Sequence, residues 1–411
     1  MGVHLDERRD ATLGHRRLAI IDPSGGAQPI LDAGSSAALV ANGMIYNDAE
    51  LRHELGEDVF ATATDSEAIL HALSAWGTDA VARLDGMFAF VLVHEDGLIA
   101  ARDPIGIKPL YMGRIDDCLC FASEIKALAN VAVDIEEFPA GQVFDSRSGF
   151  RTYYQPPEAL PEVRPHGEMM AALRDTLDAA VTKRLRSDVP LGAFLSGGLD
   201  SSIIAALARQ KLDELHTFAV GLEGSADLLA ARRVAEHLDT IHHEHVITRD
   251  EVRRDLPEIL FHLESFDRDL VRSAIPCWYV SRLASERVKV VLTGEGADEL
   301  FAGYDRYKLA LYGDRLSRYL PAGIRRRLGG LQPRAENWRR LVRVLGEETA
   351  SARFLEVIRL FSDEEMRSLG LVPASNGLPS LGDGDVLSEF QRFDVRTLLP
   401  NDFFMKADKM A

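Results

Sequence analysis

The sequence has few cysteines and lacks any long apolar run. Its 411 residues include only Cys118, Cys120 and Cys277, too few for a disulfide framework and typical of a reducing cytosol. Runs such as residues 87–93 are far too short to span a membrane, and no secretory signal precedes the first polar residues. The sequence therefore predicts a cytoplasmic protein. Zinc binding by Cys118 and Cys120 is a weaker alternative, because no second pair completes a tetrahedral site.

Basic residues are also fewer than acidic residues. The chain has 47 Lys and Arg against 64 Asp and Glu, a formal net charge of −17. We therefore expect no nonspecific binding to nucleic acid or to anionic membranes. An arginine-rich stretch at residues 315–343 is the local exception. We interpret it as a solvated helical face, with an interface or a tRNA-like contact as the alternative.

The length predicts two domains, and prolines mark the boundary between them. Proline disfavours regular structure, so we place a linker at residues 156–166, between domains of residues 1–155 and 167–411. In the first domain, short apolar runs bounded by Gly or Asp accompany two helical patterns. The runs are at 37–41, 87–93, 98–101 and 119–122, and the helical patterns at 48–55 and 66–76. This combination predicts a mainly antiparallel α+β domain.

After the linker, strand and helix patterns alternate. Strands are predicted at 191–195, 216–220, 243–247 and 288–292, with helices at 169–186, 200–210, 226–237, 252–264 and 274–286. The alternation predicts an α/β domain with a doubly wound, mostly parallel sheet. Metal binding by His242, His243 and His245 is a weaker alternative to an ordinary strand.

The loop after the first of these strands suits a polyphosphate. Its glycines let backbone N–H groups approach an anion, and the helix that follows presents unpaired donors. The predicted ATP and pyrophosphate contacts are Ser196, Gly197, Gly198, Asp200, Ser201 and Ser202. The Asp200 carboxylate would repel a polyphosphate unless a cation stood between them, so we expect Mg²⁺ there. An ordinary Ser-Gly-Gly turn is the alternative, and the missing Gly-Lys-[Ser/Thr] ending excludes a Walker loop.

A second loop rich in glycine and carboxylates follows the strand at 288–292. It contains Thr293, Gly294, Glu295 and Asp298. Asp298 is expected to provide a second Mg²⁺ ligand opposite Asp200. A solvated acidic loop is the alternative interpretation.

The string at 196–202, SGGLDSS, is the signature of N-type ATP-pyrophosphatases, and the chain resembles glutamine-dependent asparagine synthetases of the B family. The matching strings are LGHRRL at 13–18, NGMIYN at 42–47, DGMFAF at 85–90, RDPIGIKPLY at 102–111, FASE at 121–124, TFAVG at 217–221 and LPND at 399–402, followed by Lys406 and Lys409. The resemblance implies an αββα glutaminase domain of the N-terminal-nucleophile type, followed by an adenylating ATP-pyrophosphatase domain.

The resemblance also implies site residues. The glutamine-binding residues would be Arg17, Leu18, Ala19, Ile20, Ile21, Asn42, Gly43, Met44 and Asp65. Further nucleotide contacts would come from Leu195, Val220, Thr293 and Gly294, and the catalytic residues would be Glu295 and Lys409. Arg17 suits the glutamine carboxylate and Asp65 its ammonium. Asn42 and the Gly43 N–H suit an oxyanion hole.

Three departures accompany the resemblance. The family nucleophile is an N-terminal Cys, whereas this sequence has no Cys before Cys118. Met44 stands where the family usually has Glu, and the sequence stops at Ala411, soon after Lys409. We therefore expect a sequence shortened at both ends, lacking glutaminase activity as given, with glutamine binding weakened by Met44.

The resemblance implies that aspartate, ATP and glutamine or ammonia react to give asparagine, AMP and pyrophosphate through β-aspartyl-AMP. Adenylation gives the carboxylate a good leaving group, and glutamine supplies ammonia that would otherwise be mostly ammonium at neutral pH. One alternative is an amidotransferase or β-lactam-synthetase-like ligase acting on another carboxylate. An inactive remnant that serves as a binding module is an alternative of another class. The sequence leaves open whether the protein forms a homodimer, and we expect no nucleic acid or membrane partner.

Overall fold

Eleven strands in the described part of the N-terminal half form three antiparallel sheets. The computed structural model describes residues 2–6, 10–32, 34, 36–157, 164–329, 331, 336–358, 363–370 and 386–411. The strands are β1 (Gly2–Asp6), β2 (Ala11–His15), β3 (Ile30–Leu31), β4 (Ala38–Ile45), β5 (Gly86–His94), β6 (Gly97–Arg102), β7 (Tyr111–Ile115), β8 (Cys118–Ala122), β9 (Val133–Glu137), β10 (Gln142–Asp145) and β11 (Gly149–Thr152). The central sheet has the order β11-β10-β6-β5-β4-β3, a smaller sheet has the order β8-β7-β9, and β1 pairs with β2.

Two helices cover one face of the central sheet, namely α1 (Asp48–Leu55) and α2 (Glu67–Trp76). Phe88 and Phe90 of β5 share a core with these helices. Ala89 and Val91 face the other way, into a core with residues of the smaller sheet. Because successive side chains of a strand point to opposite faces, burial of both faces explains the continuous apolar run at 87–93. The predicted antiparallel α+β domain is confirmed, with a helix layer, the central sheet and the smaller sheet stacked in that order.

The chain continues into an alternation of helices and parallel strands. These elements are α3 (His166–Arg184), β12 (Leu191–Phe194), α4 (Leu199–Arg209), β13 (His216–Gly221), α5 (Ala226–Leu238), β14 (Ile241–Val246), α6 (Arg249–Leu263), α7 (Arg268–Ser285) and β15 (Val290–Leu292). The strand order is β14-β13-β12-β15, and every pair is parallel. The predicted α/β domain with a parallel sheet is confirmed.

The strand order reverses beside β12. The strands β13 and β14 extend the sheet on one side of β12, whereas β15 pairs on the other. Open α/β sheets bind ligands outside the carboxyl ends of the strands at such a switch point. The loops that follow β12 and β15 are the two loops singled out in the sequence, so the topology brings them to the expected ligand-binding crevice.

Two compact units divide the chain. The first contains Met1–Glu295 and Pro400–Ala411, and the second contains Gly296–Leu399. The second unit is helical, with α8 (Ala297–Phe301), α9 (Asp305–Tyr319), α10 (Ala322–Gly329), α11 (Glu336–Gly346), α12 (Ala350–Ile358), α13 (Asp363–Ser368) and α14 (Val386–Arg396). Its core includes Tyr307, Phe354 and Phe390. A short π-helix at Leu399–Phe404 precedes the final helix of the first unit, α15 (Met405–Met410).

The arginine-rich stretch falls on helices of the second unit. Arg315 and Arg327 are exposed, whereas Arg343 lies 3.1 Å from the carboxylate of Glu356. The side chains of Arg318, Arg325, Arg326, Arg339 and Arg340 lie outside the described residues, as do residues 158–163 of the predicted linker. Across the described ranges, no helix is both long and apolar enough to cross a membrane.

Candidate nucleotide and glutamine sites

The predicted phosphate loop begins where β12 ends. The Leu195 N–H donates to the Phe218 carbonyl at 2.8 Å, which extends the pairing of β12 with β13 by one residue. Leu195 is buried, whereas Ser196 is exposed. Val220, the other predicted contact at this edge, is half-buried near the end of β13. The chain therefore leaves the core at the first residue of the predicted loop.

The loop conformation requires glycine at position 197. Gly197 has a φ of +77°, and a Cβ added there would lie 2.5 Å from Ala230 Cβ and 2.5 Å from the Ala231 backbone nitrogen. The loop thus passes against the second turn of α5 with no space for a side chain. This fit explains the residue type independently of any ligand.

Three hydroxyl groups of the loop gather over the first turn of α4. Ser196 Oγ and Ser201 Oγ are 2.9 Å apart, and the Ser202 hydroxyl donates to the Gly198 carbonyl at 2.6 Å. Gly198 precedes the first helical residue and has no side chain to cap the helix. The positive end of the helix dipole and these hydroxyl groups therefore share one partly exposed turn, an arrangement that suits an anion.

The second loop packs directly on the first. A Cβ added at Gly294 would lie 3.0 Å from the Ser201 backbone nitrogen and 3.1 Å from Asp200 Cβ. Thr293 and Gly294 are half-buried, and the Glu295 side chain is 33% exposed. The structure thus brings the predicted nucleotide contacts of both loops, and Glu295, to one edge of the sheet.

The two aspartates predicted to bind Mg²⁺ belong to different compact units. Asp200 is half-buried in the first turn of α4, and Asp298 lies in the first turn of α8, in the second unit. Across the residues described, no three His, Cys, Asp or Glu side chains group closely enough to hold a metal ion. Magnesium binding by the two aspartates stays a prediction.

The alternative metal ligands already have other surroundings. Cys118 is exposed and Cys120 half-buried, both as free thiols on β8. His242 lies 3.2 Å from a carboxylate oxygen of Glu244, and His243 Nε2 lies 3.0 Å from His216 Nδ1. His245 lies 3.2 Å from Glu251. These contacts fit strand packing on β14.

The two C-terminal lysines lie in different environments. Lys406 Nζ is 3.7 Å from Glu295 Oε1, and its side chain is 8% exposed. The Lys409 ammonium instead donates to the Glu264 carboxylate and lies 5.4 Å from the centre of the Tyr111 ring. The lysine beside the second loop is therefore Lys406. The catalytic role of Lys409 stays a prediction.

The predicted glutamine residues lie on the loop after β2 and along β4. Arg17 donates to the backbone carbonyls of Ile21, Asp22 and Gly25, at 3.1 Å for the last two. Its guanidinium therefore closes the loop of residues 21–25. Leu18 is exposed, Ala19 and Ile20 are half-buried, and Ile21 is buried. The Arg17 guanidinium, which is predicted to bind the glutamine carboxylate, therefore donates here to backbone carbonyls of its own loop.

Asp65 meets the end of β4 from the start of α2. Its carboxylate accepts the Ile45 N–H at 2.7 Å, and burial raises the pKa of this buried aspartate above its ordinary value. Met44, the next residue along β4, is also buried. A Cβ added at Gly26 would lie 2.8 Å from Arg17 Nη2 and 2.7 Å from Thr64 Cβ, so Arg17 lies near residues 64–65.

The predicted oxyanion donors have a structural constraint of their own. Asn42 and Gly43 are half-buried on β4, opposite Ala89 and Phe88. A Cβ added at Gly43 would lie 2.0 Å from the Met87 carbonyl oxygen. The close approach of β5 therefore requires glycine whether or not its N–H binds an oxyanion.

A contact that the residue pattern did not reveal links this loop to the other half of the first unit. The Asp22 N–H donates to the Asp188 carboxylate at 2.8 Å, and the Asp188 N–H donates to the Ile20 carbonyl at 3.2 Å. Asp188 precedes β12 by three residues. A single aspartate between two elements carries no sequence signal for such a role.

The fold and the two loops define a nucleotide-binding α/β domain of the ATP-pyrophosphatase type joined to an amidotransferase-type α+β domain. Residues 172–411, more than half of the chain, match the asparagine synthase family, and residues 1–156 match the glutamine amidotransferase domain. The chain belongs to the asparagine synthase family.

Curated relatives agree with this membership. The chain is 43% identical to the asparagine synthetase [glutamine-hydrolyzing] of Zea mays over 321 residues, 74% of this chain and 54% of the relative. It is 42% identical to asparagine synthetase [glutamine-hydrolyzing] 2 of Arabidopsis thaliana, over 74% and 55% of the two chains. The chain thus spans about half the length of the curated relatives it matches. A solved glutamine PRPP amidotransferase from B. subtilis is 19% identical, with a TM-score of 0.31, over 60% of this chain and 56% of its own.

Proposed function

We propose that the protein uses ATP to activate the side-chain carboxylate of aspartate and amidates it to asparagine, with glutamine or ammonia as the nitrogen source. The observation that carries the proposal is the packing of two glycine loops at the switch point of the parallel sheet. In this position a Cβ added at Gly294 would lie 3.0 Å from the Ser201 backbone nitrogen and 3.1 Å from Asp200 Cβ. Membership of the asparagine synthase family and the names of the curated relatives support the same substrate.

The chemistry divides into two displacements. In the first, a carboxylate oxygen of aspartate attacks the α-phosphorus of ATP, and pyrophosphate leaves. In the second, ammonia attacks the acyl carbon, AMP leaves with the electrons of the acyl–oxygen bond, and the nitrogen loses a proton. The first turn of α4 and the hydroxyls of Ser196, Ser201 and Ser202 are proposed to hold the departing pyrophosphate.

Glu295 and Mg²⁺ have separate roles in this proposal. The half-buried Asp200 lies in the first turn of α4, where a polyphosphate would bind, and this fits a bridging cation. Asp200 would hold Mg²⁺, which would neutralise phosphate charge when bound. Glu295 is exposed enough to reach a substrate and is proposed to accept the proton released by the attacking ammonia.

The amidotransferase-type domain is proposed to bind glutamine at the end of β4. Asp65 would accept the substrate ammonium, and Arg17 would take the carboxylate by exchanging carbonyl partners of residues 21–25. Asn42 and the Gly43 N–H are proposed oxyanion donors. A cytoplasmic location is a further part of the proposal, supported by three free thiols.

Exchange of labelled pyrophosphate into ATP tests the first displacement. We expect the full chain with Mg²⁺ to catalyse exchange that depends on aspartate and does not occur with glutamate or β-alanine derivatives. Asp200→Asn should reduce the rate by about 10²-fold or more, because the charge that recruits the cation is lost. Asp227→Asn is the matched control, since Asp227 is exposed in the first turn of the neighbouring helix α5. Equal loss in both variants, or exchange driven by a different carboxylate, would refute the assignment.

A further inference from the structure

The short helix α15 carries three charged side chains, and each has a partner elsewhere in the first unit. Lys406 Nζ lies 3.7 Å from Glu295 of the second loop. Asp408 accepts from Lys108 Nζ at 2.5 Å, and Lys409 donates to Glu264. One turn and a half of helix therefore contacts the nucleotide edge on one side and more distant segments on the other.

Lys108, the partner of Asp408, belongs to the amidotransferase-type domain, and hydrogen bonds fix the backbone of its loop. Lys108 lies in a loop that wraps around the fully buried carboxylate of Asp103, which accepts the N–H groups of Ile107 and Lys108 at 2.9 Å each. Burial alone would lower the pKa of Lys108, but the Asp408 carboxylate outweighs it and raises that pKa. Lys108 therefore keeps its charge, and its backbone is bonded to the buried Asp103.

The partner of Lys409 also connects to the amidotransferase-type domain. Glu264 ends α6 with a φ of +58°, and its carboxylate accepts the N–H groups of Lys126 at 2.6 Å and Ile125 at 3.2 Å. Its side chain is 7% exposed and that of Lys409 is 2% exposed. Burial alone would raise the pKa of Glu264, but the Lys409 ammonium and the Lys126 N–H lower it. One carboxylate thus joins α6, residues 125–126 and α15.

A helix of six residues does not hold its own conformation in water, so the placement of α15 depends on its contacts with the rest of the first unit. These are the ion pairs and the packing of Met405 and Met410 against α6 and α7. Breaking a buried ion pair leaves an uncompensated charge and is strongly destabilising locally. The pair between Lys406 and Glu295 is longer than the other two, and Glu295, at 33%, is the most exposed of the six side chains. This pair is therefore the one that can adjust most easily.

We propose that Asp408 and Lys409 are positioning residues that hold Lys406 against Glu295. Through them, the amidotransferase-type domain helps to set the geometry of the second loop, which contains Glu295. The proposal rests on the proposed function only for the role of Glu295 in the reaction. The lysine that approaches the loop is Lys406, and Lys409 acts on the site through the helix.

Hydrogen–deuterium exchange of the full chain, read at the amides of residues 293–296, tests the placement without requiring activity. Lys108→Met and Lys409→Met remove one anchor charge each while keeping an unbranched side chain. We expect each to raise deuterium uptake at 293–296 by about tenfold, as local opening becomes easier. Lys211→Met is the matched control, because Lys211 pairs with Asp178 on the surface at 3.0 Å, and it should leave the loop unchanged.

Aspartate-dependent pyrophosphate exchange provides the second measurement. Lys108→Met and Lys409→Met should lower kcat by about tenfold while the KM for ATP stays within about threefold, since the glycines and hydroxyls of the first loop are untouched. Lys108→Arg, which keeps the charge, should restore most of the rate. If the variants merely lost folded protein, the fraction of active enzyme would fall instead. Restoring the charge in Lys108→Arg would then not selectively restore kcat.

The outcomes separate the two proposals. If the wild-type chain shows no aspartate-dependent exchange, the proposed function fails, whereas deuterium uptake still decides whether the anchors place the loop. Unchanged uptake at 293–296 in folded Lys108→Met and Lys409→Met would overturn the positioning role. Should either variant fail to fold, Asp408→Asn keeps a hydrogen-bond acceptor for Lys108 and should still raise uptake. Uptake in that variant equal to wild type would also overturn the proposal.

Discussion

The two candidate sites differ in how their polar groups are used. At the candidate nucleotide site, Ser196, Gly198 and Leu199 are exposed, and the hydroxyls of Ser196 and Ser201 contact each other on a helix turn. At the glutamine site, Arg17 is bonded to three carbonyls of its own loop, and Asp65 is buried on the Ile45 N–H. The first site leaves its loop and helix terminus exposed, whereas the second uses its charged side chains to hold its own backbone.

We infer from this difference that ligand binding depends on backbone shape at the first site. At the second site it depends on side chains that exchange their hydrogen-bond partners. A phosphate loop made of glycines and a helix terminus needs little rearrangement to receive an anion. A guanidinium already bonded to carbonyls must exchange partners when a ligand carboxylate arrives, and that exchange reduces the net gain in binding free energy. We therefore expect substitutions in the first site to act through conformation and those in the second through charge.

The largest expected effect comes from adding one methyl group to the first site. Gly197→Ala forces a Cβ to within 2.5 Å of the Ala231 backbone nitrogen at a φ of +77°, so the loop must move. Gly224→Ala is the matched control, because its φ is +72° and nothing lies within 4 Å of the added Cβ. ATP affinity, measured by calorimetry, should fall on the order of 10²-fold for the first variant and change little for the second. A similar loss in both would mean that φ strain, not loop placement, controls binding.

A smaller effect is expected from adding charge to the second site. Met44→Glu should give the glutamine ammonium a charge-assisted hydrogen bond and raise glutamine affinity by about tenfold. The new carboxylate would sit in a buried position next to the residue whose N–H binds Asp65. The free protein should therefore lose thermal stability as the pH rises, since burial and a neighbouring carboxylate both disfavour the charged form.

Glutaramate, which lacks the α-ammonium, is the control ligand for this variant. Its affinity should not rise in Met44→Glu, because the proposed bond has no donor. An equal gain for both ligands, or no gain for glutamine, would show that position 44 does not face the substrate ammonium.

The smallest effect concerns the pH dependence of stability at two aspartates of the second site. Burial raises the pKa of Asp65, so its favourable contribution is present below its ordinary pKa and is lost as pH rises through the raised value. Backbone N–H bonds from Gly25 and Ala63 lower the pKa of Asp22, so its contribution is present above its ordinary pKa and is lost as pH falls. From pH 4 upward, the Tm of wild type relative to Asp65→Asn should fall by a few degrees.

Asp22→Asn serves as the opposite case. From pH 4 downward, the Tm of wild type relative to this variant should fall, the reverse of the direction expected for Asp65→Asn. Calorimetric scans across this range decide the sign for both. If the Tm difference between wild type and variant changed with pH in the same direction for both variants, the opposite pKa shifts assigned to the two carboxylates would be wrong.

Local patterns predicted the fold and the positions of the two glycine loops well because each rests on neighbouring residues. The strands and helices at 191–292 follow from short-range periodicity, and Gly197 marks its own turn. The use of Arg17 by its own loop could not be predicted, since a guanidinium fits a ligand and a carbonyl equally well. The contact between Lys108 and Asp408 joins residues 300 positions apart, and no pattern in one sequence encodes that distance.

The most direct test of the central claim follows nitrogen into product. Incubation of the chain with aspartate, ATP, Mg²⁺ and ¹⁵N-ammonium should yield asparagine labelled at the side-chain amide, with one AMP and one pyrophosphate released for each amide formed. Nuclear magnetic resonance resolves the labelled amide, and chromatography separates AMP from ADP. Release of ADP and phosphate, or labelled amide on another carboxylic acid but not on aspartate, would contradict the account.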